Sequence, residues 1–341
     1  MILSKGPLFI VGASRSGTKL LRDVMNGHSQ ISIPTAESHF IPYLLTRFPS
    51  DCQTNASDLK KLVKVVMQSM FIQSMERKGV RVHQEEVVRC FVGQTLPEGV
   101  RRLMMFVAEQ ENGQPFTSEM YWGDKTPSYL MDVRLLKGWF PDACFLHIMR
   151  DPRDRALSAN SAWGADLKLS VSQWQKMVSV GRKQGKEMTG SWSEVKYEDL
   201  VREPENVVAN ICSSLSLNFE ERMLELKRPV EILGDAEEDS RRFTAITAKG
   251  VGRWSNALAP ELASRLAELA TPVAMEVGYV FEGSNEEPHH SITRKERFLS
   301  LPKDRWRTLS HHVKLWGFFK GIRHLFWRGR MAKKVRRARD L

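Results

Sequence analysis

Cysteine is scarce in this chain. The four cysteines among 341 residues, Cys52, Cys90, Cys144 and Cys212, stand far apart and form no Cys-x-x-Cys pair. That excludes a disulfide scaffold and a zinc module. Long apolar runs are missing as well, and none approaches the roughly 18 residues that span a bilayer. The opening stretch MILSKGPLFIVG lacks a basic leader, a long apolar region and a small-residue cleavage site, so a reducing cytosol is the expected compartment. No internal repeat is visible. The body also has no excess of basic charge. The net charge is +11, but residues 291–341 carry 16 Lys and Arg against 3 Asp and Glu, which leaves 35 against 37 in the rest. A nearly neutral body argues against nucleic acid as a partner and for a separately specialised basic tail. With 42% hydrophobic and 27% charged residues, wholesale disorder is excluded, and the chain can bury one large core or two smaller ones.

Leu8–Val11 is a short apolar run that ends at Gly12, which suits a buried strand entering a tight turn. Thr18–Met25 then has Leu20, Leu21 and Val24 on one helical side. Gln30–Ile33, closed by Pro34, predicts a second strand, Tyr121–Asp124 another strand end, and Cys144–Met149 a clear buried strand; Val195–Tyr197 is weaker. Helical spacing runs through residues 58–110, with further helices at about 204–215 and 260–277. Short apolar strands that alternate with helices predict an α/β fold with a mainly parallel sheet. The acidic stretch Asp235–Asp239 reads as a solvated loop, and Glu282–Pro288 as a linker. The expected division is a domain over 1–282, a linker over 283–304 and a basic amphipathic tail over 305–341.

The segment Gly12-Ala13-Ser14-Arg15-Ser16-Gly17-Thr18-Lys19 follows a strand and opens a helix. That geometry aims free backbone N–H groups at an anion, with the helix dipole adding to the attraction. Gly12 and Gly17 have the spacing of a nucleotide-triphosphate loop, G-x-x-x-x-G-K-[ST], but Thr18 and Lys19 stand where Lys and then Ser or Thr belong. The swap disrupts the usual arrangement for Mg²⁺ and terminal phosphate. The later strand ends in Arg150 and not in a metal-binding Asp. Sulfuryl transfer fits such a site, because arginine, lysine and backbone donors can stabilise it without a metal. The loop resembles the 5′-phosphosulfate loop of the sulfotransferase family, whose donor is 3′-phosphoadenosine 5′-phosphosulfate (PAPS). The Arg15-Ser16-Gly17-Thr18 form is most like that of tyrosylprotein and many bacterial sulfotransferases. The resemblance implies a three-layer, nucleotide-kinase-like fold, PAPS as co-substrate and no metal. It also implies a grip by Arg15 to Lys19 on the 5′-phosphosulfate, with Arg15 neutralising charge on the bridging oxygen.

Arg150 and Ser158 lie in Arg-Asp-Pro-Arg-Asp-Arg-Ala-Leu-Ser, where Pro152 suits an early helical turn. A strand-end arginine and a serine about two turns later can converge on one phosphate. A surface ion-pair cluster of Arg150, Asp151, Arg153, Asp154 and Arg155 explains the pattern as well. The segment resembles the family's 3′-phosphate motif, which implies that Arg150 and Ser158 hold that group. Ala248-Lys249-Gly250-Val251-Gly252-Arg253-Trp254 is similar to the family's late Lys-Gly loop, which covers the nucleotide. Two departures stand out: Ala248 replaces an Arg, and the glycines are one residue closer. The match implies donor contacts from Lys249 and Gly250, while Trp254 either stacks or belongs to the core, the second being favoured.

An attacking hydroxyl must lose a proton to a carboxylate or a histidine. Glu37 follows the second strand, on the rim where open α/β sheets bind ligands. Glu37-Ser38-His39-Phe40 resembles the segment that carries the catalytic Glu in heparan sulfate 3-O-sulfotransferases, and the spacing to Pro42 resembles that of tyrosylprotein sulfotransferases. This implies Glu37 as base. His39 is either an alternative base or a group that orients Glu37 or meets the acceptor. Gly123-Asp124-Lys125-Thr126-Pro127 is similar to a family stretch whose Lys faces the transferred group, so Lys125 is a second charge stabiliser or an acceptor anchor. Tyr197-Glu198-Asp199-Leu200 also looks familial and reads as a cap for the following helix. The resemblance covers residues 6–280. The region 51–115 holds no readable motif; in this family such segments often form the acceptor pocket.

In the tail, Trp306, Leu309, Val313, Trp316, Phe319, Ile322 and Phe326 recur at steps of three or four among many Lys and Arg. A C-terminal amphipathic basic helix of this kind suits an anionic membrane surface and predicts peripheral attachment to the cytoplasmic face of a membrane. A helix docked on a protein body explains the aromatics but not the terminal basic cluster. RNA binding is a third, minor option. The function expected is transfer of sulfuryl from PAPS to a hydroxyl of a glycan, glycolipid or protein tyrosine. A P-loop kinase or ATPase, and a non-catalytic nucleotide-binding protein, are the alternatives.

Overall fold

The computed structural model describes residues 5–48, 56–226, 245–281, 291–293 and 296, together with positions 306, 309, 310, 313, 322, 325, 326, 329, 331, 333 and 335 of the tail. The expected acidic loop at 235–239 and the polar linker stretch at 282–288 lie outside them. Among the described residues, five strands form one parallel sheet: β1 (Lys5–Gly12), β2 (Ile31–Ser32), β3 (Tyr121–Asp124), β4 (Cys144–Met149) and β5 (Trp192–Lys196). Their order across the sheet is β2-β3-β1-β4-β5, with β1 in the centre.

The apolar run of β1 is continuous because both of its faces are covered, as a parallel sheet requires. Side chains alternate along a strand. Phe9 and Val11 therefore join one buried cluster with Trp122, Phe145 and Met149, while Leu8 and Ile10 join another with Leu146, Ile148 and Val195. These two cores on opposite sides of the sheet make the three layers expected from the sequence.

The smaller core is covered by α1 (Thr18–Met25), as its Leu20, Leu21 and Val24 show. The larger is covered by a helical insertion between β2 and β3: α2 (Ile41–Arg47), α3 (Ala56–Met67), α4 (Met70–Arg77), α5 (Gln84–Phe91) and α6 (Leu96–Asn112). The expected helical stretch 58–110 is thus four helices, separated where caps begin new ones. Ser69 accepts the Ile72 N–H ahead of α4, and Thr95 accepts the Glu98 N–H ahead of α6. Then come α7 (Val133–Trp139), α8 (Pro152–Trp163), α9 (Leu167–Gly185), α10 (Tyr197–Arg202), α11 (Pro204–Ser214), α12 (Trp254–Ala257) and α13 (Pro260–Glu276).

Two expectations need correction. The weak strand ends at Lys196, and Tyr197 already opens α10, so Tyr197 and Glu198 are inside the first turn and do not cap it. Glu198 instead accepts the Asp151 N–H at 2.9 Å and the Tyr279 hydroxyl at 2.8 Å. Trp254 is half-buried rather than core, and the Arg153 guanidinium lies 3.5 Å from the centre of its ring. Described tail positions are helical; Trp306 and Phe326 are exposed, whereas Met331 and Val335 are buried. Among the described residues no helix is long and apolar enough to cross a membrane.

Candidate active site

In a parallel sheet all carboxyl ends share one rim. Here the rim carries the Gly12–Thr18 loop after β1, Glu37 and His39 beyond β2, Lys125 after β3 and Arg150 after β4.

The loop after β1 is shaped by close contacts. A Cβ on Gly12 would lie 2.5 Å from the Ile148 carbonyl oxygen, and one on Gly17 would lie 2.5 Å from the Tyr197 ring. Gly17 has φ +98°, and Arg15, a non-glycine, has φ +73°. A left-handed arginine costs about 1–3 kcal/mol, the sort of strain that folds keep at working sites. The Ser16 N–H turns back to the Ala13 carbonyl at 3.1 Å, and α1 opens at Thr18. Ala13, Ser16 and Thr18 are buried, Ser14 and Lys19 half-buried, and the Ser16 hydroxyl is buried without a partner among the described residues.

Arg15 and Arg150 belong to one contact chain. Arg150 Nη1 donates to the Arg15 carbonyl at 3.3 Å, and Arg15 Nε donates to Ser158 Oγ at 3.2 Å. Arg150 Nη2 donates to the Gly250 carbonyl at 2.5 Å, its guanidinium lies 4.5 Å from the centre of the Tyr197 ring, and its buried Nε has no partner among the described residues. Arg15 meets the Trp163 ring at 5.5 Å. The neighbouring charges are not a surface ion-pair cluster. Arg150, Asp151, Arg153, Asp154 and Arg155 are all buried, and they turn to different partners. Arg153 pairs with Asp151 at 2.7 Å. Asp154 accepts the backbone N–H groups of Gly252 at 2.6 Å and Trp254 at 2.9 Å, and so pins the late glycine loop; burial pushes its carboxyl pKa up. Arg155 donates to the Ser14 carbonyl at 2.8 Å; burial and then the Arg15 charge push its pKa down to about 10. Of the late loop's predicted pair, Gly250 touches Arg150, while Lys249 is exposed.

Glu37 sits between a lysine and a histidine. Its Oε1 is 2.5 Å from Lys125 Nζ, and its Oε2 is 3.0 Å from His39 Nε2. Lys125 is 5% exposed and Glu37 33%, so the carboxylate is the open member of the pair. Burial raises its pKa, but Lys125 and His39 together override that and hold it well below the usual carboxylate range. His39 stands at φ +52°, with its Nε2 against the carboxylate.

The segment that carries Glu37 is pinned at both ends. Thr35 gives its N–H to Glu111 Oε2 at 2.8 Å, accepts Arg22 Nη1 on its carbonyl at 2.7 Å, and accepts Lys78 Nζ on its hydroxyl at 2.8 Å. Ser38 gives its N–H to Asp124 Oδ2 at 3.2 Å and Thr126 Oγ1 at 3.1 Å. Asp124 is buried, and burial pushes its pKa up.

Sequence reasoning missed the places of Tyr197, Trp163 and Arg155, which meet the two arginines or support the loop. Tyr197 was read as a cap and Arg155 as part of an ion-pair cluster; Trp163 carries no local signal. Among the described residues no group of His, Cys, Asp and Glu is arranged to hold a metal.

A strand–loop–helix turn, joined by buried arginine to a second strand end, gives an α/β protein with a candidate anion site on its sheet rim. A sequence model of the sulfotransferase family matches residues 7–221, and the chain belongs to that family. The fold is similar to that of the sulfotransferase domain of the Synechococcus PCC 7002 olefin synthase, at 22% identity and a TM-score of 0.51, over 79% of this chain and 95% of that one. It is likewise similar to the sulfotransferase domain from the curacin biosynthetic pathway, at 17% identity and a TM-score of 0.51, over 81% of this chain and 99% of that one. A relative from Aquifex aeolicus, described as uncharacterized, is 24% identical over 241 residues, which is 67% of this chain and 28% of the length of that relative.

Proposed function

We propose that the protein transfers the sulfuryl group of PAPS to a hydroxyl of a glycan, a glycolipid or a tyrosyl peptide. The observation that carries this is the joined arginine chain, in which Arg150 reaches Arg15 and Arg15 reaches Ser158. One small doubly anionic nucleotide can bridge such a pair of sites. The Gly12–Lys19 loop binds its 5′-phosphosulfate; Arg150 and Ser158 bind its 3′-phosphate, under the loop that bears Lys249 and Gly250. Glu37 takes the proton from the acceptor hydroxyl. A bond forms from the acceptor oxygen to sulfur as the bond from sulfur to the bridging oxygen breaks, and adenosine 3′,5′-bisphosphate leaves. Arg15 and Lys125 neutralise the charge that develops on the departing and equatorial oxygens. His39 keeps the carboxylate aimed.

The tail extends this reading to place. Trp306 and Phe326 are 70% and 65% exposed. Exposed aromatics in a segment rich in Lys and Arg suit peripheral attachment to an anionic membrane on its cytoplasmic face.

Labelled PAPS offered with a panel of glycolipids, glycans and tyrosine peptides tests the assignment. Transfer of label to a hydroxyl without added divalent cation is the expected result. Mg²⁺-dependent ATP turnover, with no label transferred, overturns it in favour of a kinase or ATPase.

A further inference from the structure

The element that sets the Glu37 carboxylate lies beneath it. Ser38, between Glu37 and His39, is fully buried, and its Oγ is 2.6 Å from the Tyr129 hydroxyl. The same hydroxyl accepts the Ile41 N–H at 3.2 Å. One phenol oxygen therefore straddles His39, holding a side chain on one flank and an amide on the other. His39 is the left-handed residue of that turn, and such a conformation persists only where its surroundings over-determine it. Tyr129 belongs to the short 3₁₀ turn Pro127–Met131, two residues beyond Lys125, and its ring meets Phe9 of β1 edge-on at 6.3 Å between centroids. A single short segment thus supplies both the cation that grips Glu37 and the hydroxyl that fixes its turn, anchored on the strand that leads into the anion loop.

We infer that Tyr129 is a positioning residue for the reaction: through Ser38 its hydroxyl fixes the turn that presents the Glu37 carboxylate. This rests on the proposed role of Glu37 as base. Tyr129→Phe keeps the ring on Phe9 and removes only the oxygen. In the full chain, with labelled PAPS and an acceptor from the panel above, kcat should fall about 10- to 100-fold, the loss that a misplaced catalytic group brings. The KM for PAPS should stay within about twofold, because the donor cradles are untouched. The acid limb of kcat/KM should rise toward an ordinary carboxylate value, about 4.3, as the carboxylate drifts from Lys125 and His39. Ser38→Ala breaks the same link from the other side and should reproduce both effects. In a Glu37→Gln background, Tyr129→Phe should add no further loss.

Wild-type kcat and an unmoved acid limb in Tyr129→Phe overturn the inference while leaving Glu37 as base. So does a loss that adds in full to that of Glu37→Gln. Wild-type turnover in Glu37→Gln overturns the base assignment itself. A lowered melting temperature with unchanged kcat and pH profile marks Tyr129 as structural only, which also overturns the inference.

Discussion

The two halves of the sheet rim are built on different principles. On the β1–β4 side backbone N–H groups open α1 beside arginines whose own carbonyl and hydroxyl partners keep them in place. The β2–β3 side is built differently. A carboxylate stands between a lysine and a histidine on a short segment tied to its neighbours by side chains. On the proposed reading the first half holds the donor and the second takes the proton, so substitutions on the two sides should fail in different ways.

The sharpest division should come from Glu37→Gln. Turnover should drop about 10²- to 10⁴-fold, as the loss of a general base does, while the PAPS dissociation constant measured by titration calorimetry stays near that of the parent. An equal loss of donor affinity would collapse the distinction between the halves. Arg150→Ala should do the reverse. Removing charged hydrogen bonds to a phosphate should weaken PAPS about 10- to 100-fold, with kcat at saturating donor little changed. Gly17→Ala tests how far the cradle depends on backbone shape. With φ +98° and the Tyr197 ring 2.5 Å from the new Cβ, the variant should lose about 1–3 kcal/mol in urea unfolding and bind PAPS more weakly.

The smallest effect belongs to His147, buried in β4 below the rim. Burial, partly opposed by Glu194, pushes its pKa down, so it folds as the neutral imidazole. Its contribution is present above the unfolded value of about 6.5 and is lost as pH falls through that value toward the folded one. Melting temperature should decline modestly from about pH 7.5 to 5.5 in the parent and decline less in His147→Leu. That control separates the acid limb of catalysis from an acid-induced loss of fold.

Much of the fold was legible because its signals are local. Tyr121–Asp124 and Cys144–Met149 are the strands expected, and Thr18–Met25 is the helix expected, since apolar runs and glycine punctuation are read within a few residues. The pattern of Gly12, Arg15 and Gly17 marked the turn from β1 into α1 for the same reason. The braces of the site were not legible. Ser38 meets Tyr129, Thr35 meets Glu111 and Arg15 meets Ser158 across long stretches of chain, and no periodicity marks which polar residue will face which. Trp254 shows a related limit: its composition says core, but whether a guanidinium takes its face depends on where α8 lies.

The central strand has its own consequence for synthesis. Among the described residues β1 pairs with β3 and β4, although β2 follows it first along the chain. A polypeptide emerging from the ribosome therefore carries an unsatisfied, strongly apolar strand until the whole helical insertion and both partners have been made. Such late closure slows folding and leaves a sticky nascent segment for chaperones to shield. Any truncation before Met149 would yield a chain in which the anion loop has no wall to form against.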